Sequence, residues 1–198
     1  LLEEGKVSLE DEIEVSQRAS SMGGTELFLS PGDRLSLEEL ITGMAVGSAN
    51  DAAVAVAEYI AGSEEAFVEL MNDRARRLGL NSTHYCNCHG LHHPDHYTTA
   101  RDVAAVSCAL LEYPLIHRYL TIWMDEHYLQ GKIRSGEVYL SNTNRLIKFY
   151  PGCDGVKTGF TREAGNSISA TAKRGTSRFL AVVMDSPNVE DRYEAAVG

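Results

Sequence analysis

Two short polar segments, far apart in the sequence, contain residue types that could do chemistry. In the first, Gly47-Ser-Ala-Asn50, a hydroxyl and a carboxamide are two residues apart in a break between two predicted helices. Ser48 could relay a proton and Asn50 could hold an amide substrate. The alternative is that both side chains only cap the helix predicted from Asp51, a position where Ser and Asn are preferred. Taken alone, Ser-x-Asn favours the cap.

The second segment, residues 154–161, reads Asp-Gly-Val-Lys-Thr-Gly-Phe-Thr. Small residues at a strand edge let the backbone of a ligand lie close. Lys157 would supply a positive charge for a carboxylate, and Thr158 would add a hydroxyl donor. The alternative is a solvated lysine in a strand that contains a glycine bulge. Lys-Thr-Gly by itself favours this plainer interpretation.

Helix signals dominate the first half of the chain. Ser36-Leu-Glu-Glu39 is a capping box and predicts a helix from Leu37 to Val46. The Ala-rich run after the break predicts a second helix, Asp51–Ala61, ended by Gly62. Further helices are predicted from Ser63 to just before Gly79 and from near Thr99 to before Pro114. Leu1–Gly5 is predicted as the end of a helix, and Asp191–Val197 as the opening turns of another.

The second half changes to a strand pattern. Asn166–Lys173 and Ser177–Met184 are β-rich runs joined by Arg174-Gly-Thr176, which predicts a hairpin. Gly155–Thr161 is predicted as a neighbouring strand, and Glu137–Leu140 as another short one. Helices followed by an antiparallel sheet indicate an α+β fold.

Composition narrows the class of protein. The 198 residues are 43% hydrophobic and 23% charged, which is typical of a soluble globular protein. A formal net charge of −10 argues against nucleic acid as a partner. The most apolar stretch, Ile41–Ile60, contains charged residues and predicts core helices instead of a membrane span. Four cysteines are too few for a disulfide scaffold.

Taken together, the two polar segments resemble the signatures of the serine penicillin-recognising enzymes, which are the penicillin-binding proteins and class A β-lactamases. Further segments, in order along nearly the whole chain, are similar to the low-molecular-weight D-alanyl-D-alanine carboxypeptidases. These segments are Gly47–Ala53, Asn87–Leu91, Thr98–Asp102, Asn142–Leu146, Gly152–Thr161, Glu163–Gly165 and Ala170–Arg174. One departure is Cys88, where the family usually has proline.

The resemblance implies a β-lactamase/transpeptidase-like α+β fold, in which a helical cluster packs on an antiparallel sheet with a cleft at their junction. Residues 1–198 would be part of the penicillin-recognising catalytic domain. The family attacks with the serine of a Ser-x-x-Lys motif, and no lysine in this chain follows a serine by three positions. The nucleophile is therefore expected upstream of Leu1, and any C-terminal β domain beyond the chain.

The resemblance also implies roles for the two segments. The substrate would be a peptidoglycan stem peptide ending in D-Ala-D-Ala, cleaved through an acyl-enzyme, and β-lactams would acylate the same serine. Lys157 and Thr158 would bind the terminal carboxylate beside Gly159, and the Phe160 N–H would be one donor of the oxyanion hole. Ser48 would carry a proton to the leaving amine, and Asn50 would hold the substrate amide. No cofactor is implied; the enzyme would act outside the cytoplasmic membrane, with anchoring through a C-terminal segment.

The sequence also allows three other interpretations. A class A β-lactamase needs Glu-x-x-Leu-Asn, but Arg77 precedes Leu80-Asn81 at the Glu position, and Ala49 replaces the usual Asp. Another alternative is a module that binds peptidoglycan or a partner protein and has kept the fold but lost the nucleophile. A metal site would draw on an irregularly spaced group, Cys86, Cys88, His89, His92, His93 and His96. The plainer interpretation of this group is a surface loop.

Overall fold

The computed structural model describes residues 1–198, which form two compact units, each assembled from separate stretches of the chain. The first unit contains Leu1–Val68, Asn87–His89 and Met124–Ser141. The second contains Glu69–Cys86, Gly90–Trp123 and Asn142–Gly198. None of the helices is both long and apolar enough to cross a bilayer.

Two small antiparallel strand pairs, Glu12–Glu14 with Arg34–Ser36 and Met124–Asp125 with Leu140–Ser141, accompany the helices of the first unit. The predicted capping box is present: the Ser36 Oγ accepts the Glu39 N–H, and the Glu39 carboxylate accepts the Ser36 N–H at 2.9 Å. The elements are β1 (Glu12–Glu14), α1 (Gln17–Ser20), β2 (Arg34–Ser36), α2 (Leu37–Thr42), α3 (Asn50–Ala61), β3 (Met124–Asp125) and β4 (Leu140–Ser141).

Between α2 and α3 the backbone leaves the α-helical pattern. The sequence predicts one helix to Val46, but α2 ends at Thr42 and a π-helix follows at Gly43–Gly47. Each turn of a π-helix contains an extra residue, and such insertions are often found at functional sites. The predicted end of α3 is confirmed, since Gly62 has φ 82° and its N–H donates to the Glu58 carbonyl.

A three-stranded antiparallel sheet is the centre of the second unit, with Gly165–Arg174 between the edge strands Cys153–Thr161 and Ser177–Ser186. The predicted hairpin is confirmed, with Gly175 at φ 60° in its turn. A register shift between Cys153 and Gly155 is consistent with the glycine bulge of the alternative interpretation of residues 154–161. Ile168, Leu146 and Ala170 form a buried cluster beside the sheet. The elements are α5 (Ala100–Leu111), α6 (Ile116–Leu120), α7 (Leu146–Phe149), β5 (Cys153–Thr161), β6 (Gly165–Arg174), β7 (Ser177–Ser186) and α8 (Val189–Val197).

The remaining predictions differ from the structure mainly at their ends. Helix α4 (Glu64–Arg77) follows Ser63 as predicted, and Thr99 caps α5 through its side chain. The strand predicted at Glu137–Leu140 is only the two-residue β4. The first residues form turns without a helical stretch, although the Gly5 and Lys6 N–H groups donate to the Leu2 and Leu1 carbonyls, the bonds typical of a helix end.

Candidate active site

Ser48 lies at the end of the π-helix in the left-handed backbone region, with φ 63° and ψ 36°. Its N–H donates to the Met44 carbonyl at 3.2 Å. A residue with a Cβ pays about 1–2 kcal/mol to adopt this conformation, so the surrounding structure must hold it there. Strained positions of this kind cluster at functional sites. The surrounding structure therefore holds Ser48 in a backbone conformation that is unusual for a residue with a Cβ.

The cap interpretation of Ser48 and Asn50 is wrong. Helix α3 begins at Asn50, its N-cap is Ala49, and no side chain caps it. The Asn50 Nδ2 instead donates to the Gly23 carbonyl at 2.7 Å, while the Asn50 N–H donates to the Thr25 carbonyl at 2.8 Å. Asn50 is buried and fastens the neighbouring loop to the start of α3.

Asp51, to which the sequence analysis assigned no role, fixes the same loop. Its side chain is only 1% exposed and accepts the Leu27 N–H at 3.0 Å and the Leu29 N–H at 3.1 Å. A buried carboxylate needs such donors to replace its lost hydration. Phe28, between the two donors, is held at φ 59° with its ring 67% exposed. The sequence signal for this role of Asp51 is its place as an acidic residue next to Asn50 in an Ala-rich helix.

Lys157 lies on β5 and faces helix α5. In the sheet register it is opposite Ser169, whose Oγ is 2.7 Å from the Ser107 Oγ on α5. The Lys157 Nζ donates to the Thr158 carbonyl at 3.0 Å. Burial, with a smaller contribution from the Arg192 charge, lowers the pKa of Lys157 to about 8. A partly desolvated cation of this kind gains most from a negatively charged ligand.

Thr158 projects from the opposite face of β5, because side chains alternate along a strand. Its Oγ1 donates to the Thr143 Oγ1 at 2.7 Å. A Cβ added to Gly159 would meet no atom within 4 Å, and the Phe160 ring is 65% exposed. Because β5 is an edge strand of its sheet, a peptide can lie along this segment.

Two buried asparagines hold the segment that carries Thr143. The Asn142 Nδ2 donates to the Ile122 carbonyl at 2.8 Å, and the Asn142 Oδ1 accepts the Asn144 N–H at 2.9 Å. The Asn144 Nδ2 donates to the Gly155 carbonyl at 3.1 Å. These bonds explain the Asn-x-Asn pattern of this segment as a tether to β5.

Arg192 and Thr143 are the neighbours of the Lys-Thr-Gly segment that the sequence analysis missed. Arg192 is 6% exposed on α8, and its Nε has no hydrogen-bond partner. Its charge disfavours the protonated form of Lys157. A cavity of about 330 Å³ lies beside β5, α5 and β6, lined in part by Lys157, Ser107, Ser167 and Ser169. No local pattern links a helix arginine to a strand lysine, so only the fold identifies this pair.

The predicted site residues fall into two groups. Ser48 and Asn50 belong to the first unit and lie together where the π-helix meets α3. Lys157, Thr158, Gly159 and Phe160 belong to the second unit and lie on β5.

The cysteine- and histidine-rich segment forms ordinary polar contacts. In the first unit, the His89 Nε2 lies 3.2 Å from the Glu64 Oε1, an oxygen that also accepts from the Cys88 thiol at 3.6 Å. In the second, the His96 Nδ1 accepts the Cys86 N–H at 3.3 Å. Within neither unit do three His, Cys, Asp or Glu side chains form a group that could hold a metal ion.

Relatives of known sequence and structure are similar to this chain over most of its length. D-alanyl-D-alanine carboxypeptidase DacF of Bacillus subtilis is 44% identical over 191 residues, which are 96% of this chain and 48% of the relative. The chain thus spans about half the length of the curated relatives it matches.

Two solved structures superpose closely. The crystal structure of penicillin binding protein 6B from Escherichia coli matches with a TM-score of 0.89 and 32% identity, over 99% of this chain and 62% of that one. Penicillin-Binding Protein D2 from Listeria monocytogenes, in its ampicillin bound form, matches with a TM-score of 0.82 and 26% identity, over 98% and 76%. The expected β-lactamase/transpeptidase-like α+β fold is therefore confirmed.

The family model for Peptidase_S11, D-alanyl-D-alanine carboxypeptidase, matches residues 2–188. That match includes Ser48, Asn50 and the whole of β5. The chain belongs to the D-alanyl-D-alanine carboxypeptidase family of S11 peptidases.

Proposed function

We propose that the protein is a serine-type D-Ala-D-Ala carboxypeptidase, which removes the terminal D-alanine from peptidoglycan stem peptides. The observation that carries the proposal is Lys157, a partly desolvated amine on an edge strand, in a chain of this family. A carboxypeptidase must recognise a free terminal carboxylate, and a partly desolvated cation with open strand beside it meets that need.

The substrate would bind as an added strand along β5. Lys157 would neutralise the terminal carboxylate, and Thr158, already paired with Thr143, would offer a hydroxyl from the other side of the strand. Gly159 leaves room for the close approach of the peptide backbone. The Phe160 N–H would stabilise the oxyanion of the tetrahedral intermediate, a contribution of about 3 kcal/mol for one donor.

Ser48 and Asn50 would serve proton transfer and the orientation of the substrate amide. A serine supplied by residues outside 1–198 would add to the carbonyl carbon of the penultimate D-alanine. The C–N bond would then break, and the departing amine would take up a proton delivered through Ser48. Water would add to the resulting ester, release the shortened peptide and return the proton to the serine. Asn50, held by its bond to Gly23, would orient the substrate amide.

The same function implies which molecules the protein would bind and where it would act. β-Lactams carry a carboxylate and a reactive amide and would acylate the same serine; a relative of this chain is known in an ampicillin bound form. The stem peptide is outside the cytoplasmic membrane, so the enzyme would act there, anchored through a segment beyond residue 198. The net charge of −10 gives no attraction to nucleic acid.

Fluorescent penicillin tests the proposal directly. The full-length protein, including its Ser-x-x-Lys segment, should form a covalent adduct that survives denaturing gel electrophoresis, whereas residues 1–198 alone should remain unlabelled. A binding module without a nucleophile would leave both proteins unlabelled. A class A β-lactamase would hydrolyse the penicillin rapidly and retain no label. Labelling of residues 1–198 alone would contradict the assignment of the nucleophile.

The pH dependence of turnover should report Lys157. Only the protonated amine attracts the carboxylate, so kcat/KM for a D-Ala-D-Ala peptide should be sustained below pH 8 and fall as the pH rises through about 8. A bound carboxylate favours the charged amine, so the corresponding fall in kcat should occur at higher pH. The measurement is a pH series of initial rates on the full-length protein.

Lys157→Arg is the control for this assignment. Arginine stays protonated throughout the range, so the alkaline fall due to residue 157 should disappear from the variant. An identical fall in both proteins would assign the titration to another group.

A further inference from the structure

One stretch of the first unit, Met124–Ser141, contacts both ends of the π-helix, and we call this stretch the strap. At the start of the π-helix, a Cβ on Gly43 would lie 2.8 Å from the Tyr128 hydroxyl. At its end, a Cβ on Gly47 would lie 2.9 Å from the Leu140 Cδ2. Glycine at both positions is what permits this approach, so the strap packs directly on the backbone of the π-helix.

Tyr128 makes the polar part of this contact. Its ring is buried, and its hydroxyl donates to the Glu39 carbonyl at 2.6 Å. The same carbonyl accepts the Gly43 N–H, at the point where α2 ends and the π-helix begins. A side chain that enters the helical hydrogen-bond ladder is an established cause of departures from α geometry. Burial raises the pKa of Tyr128, which keeps the hydroxyl protonated as a donor.

The lysine of the strap strengthens the same attachment. Lys132 forms an ion pair with the Glu39 carboxylate. The same carboxylate accepts the Ser36 N–H in the capping box of α2. Glu39 is therefore held through its carbonyl by Tyr128 and through its carboxylate by Lys132. The strap fixes the turn of α2 from which the π-helix departs.

The π-helix decides where the Ser48 hydroxyl points. One residue inserted into an α-helix rotates everything after it by about 100°. Ser48 then ends the helix in the left-handed region, and the Ala49 N–H returns to the Gly43 carbonyl at 3.3 Å. Relaxation of Gly43–Gly47 to α geometry would redirect the hydroxyl and break this closure.

We infer that Tyr128 is a positioning residue, which maintains the π-helix at Gly43–Gly47 and thereby sets the direction of the Ser48 hydroxyl. This inference rests on the proposed function, because the proton relay of Ser48 is what the positioning serves. Tyr128 would act through the π-helix, without touching the substrate or the reacting atoms itself.

Tyr128→Phe in the full-length protein tests the inference. The variant keeps the ring and loses one hydroxyl, so acylation by penicillin should slow by about 10- to 100-fold, the effect of misplacing a catalytic group by about 1 Å. KM for a D-Ala-D-Ala peptide should change far less than kcat. Tyr59→Phe is the matched control: its hydroxyl donates to Asp11 at the same 2.6 Å in the same unit. That variant should acylate at the normal rate.

A double-mutant cycle with Ser48→Ala separates positioning from general loosening of the fold. If Tyr128 acts through Ser48, Tyr128→Phe should have almost no further effect once the hydroxyl is gone. An equal slowing in both backgrounds would overturn the inference and leave the proposed function intact. No effect of Ser48→Ala itself would overturn the proposed function.

A measurement on the unsubstituted protein keeps the inference falsifiable if Tyr128→Phe does not fold. In NMR spectra, the Tyr128 hydroxyl proton should exchange slowly and show a contact with the Gly43 amide proton. A rapidly exchanging hydroxyl, or helical α-type contacts throughout Gly43–Gly47, would contradict the role given to Tyr128.

Discussion

Lys157→Ala in the full-length protein should lower kcat/KM for D-Ala-D-Ala peptides by about 10²- to 10³-fold. Truncating one partner of a desolvated charge pair costs about 2–5 kcal/mol, and here the other partner is the substrate carboxylate. The loss should be much smaller for a peptide whose terminal carboxylate is amidated, because that substrate has no charge to pair. Steady-state kinetics with the two peptides make the comparison.

The fold should survive this substitution. Folding lowers the pKa of Lys157, so the folded state disfavours the charged amine and gains stability as the pH rises from about 8 towards the ordinary lysine value. Loss of the charge therefore removes no stabilising contribution at neutral pH. Lys173→Ala, at an exposed lysine of β6, is the matched control and should leave turnover unchanged. Equal turnover by the Lys157 and Lys173 variants would refute the carboxylate-binding role.

Ser48→Ala should reduce the rate of acylation by about 10²-fold or more, the usual size of a general acid–base contribution. The hydroxyl is expected to deliver the proton to the departing amine, so the reduction should be largest for substrates with a poor leaving group. Stopped-flow acylation with a penicillin and with a D-Ala-D-Ala peptide would measure both cases.

Ser48→Gly distinguishes a functional role from a structural one. Glycine adopts the left-handed conformation without the penalty of about 1–2 kcal/mol that a Cβ imposes, so this variant should be at least as stable as Ser48→Ala in thermal unfolding. Both variants should be equally slow. Recovery of activity in Ser48→Gly would mean that the strain of the backbone, and not the hydroxyl, limits the reaction.

Local sequence signals predicted much of the fold. The capping box of Ser36 and Glu39, the start of α5 near Thr99 and the β6–β7 hairpin all depend on residues a few positions apart, and all three are present. Strands β1 and β2 were missed because three residues are too few to show an alternating pattern.

The sequence predicted which residues belong to the candidate site better than it predicted their geometry. Ser48, Asn50 and Lys157 could be selected from two short motifs, but the sequence favoured a helix cap for the first two. The structure gives the cap position to Ala49 and binds Asn50 to Gly23. A polar side chain after a helix break can donate a hydrogen bond to a backbone carbonyl of any neighbouring loop. A sequence pattern does not show which loop is near.

The order of the elements, the acidic balance and the residue types of both motifs were determined by the sequence alone, since they follow from composition and from hydrogen bonds between near neighbours. The tertiary structure decided the rest: the π-helix under Tyr128 and Leu140, the left-handed Ser48, and the opposite directions of the Lys157 and Thr158 side chains. It also decided the lowered pKa of Lys157. Close backbone approach and desolvation depend on groups distant in the chain, and only folding brings those groups together.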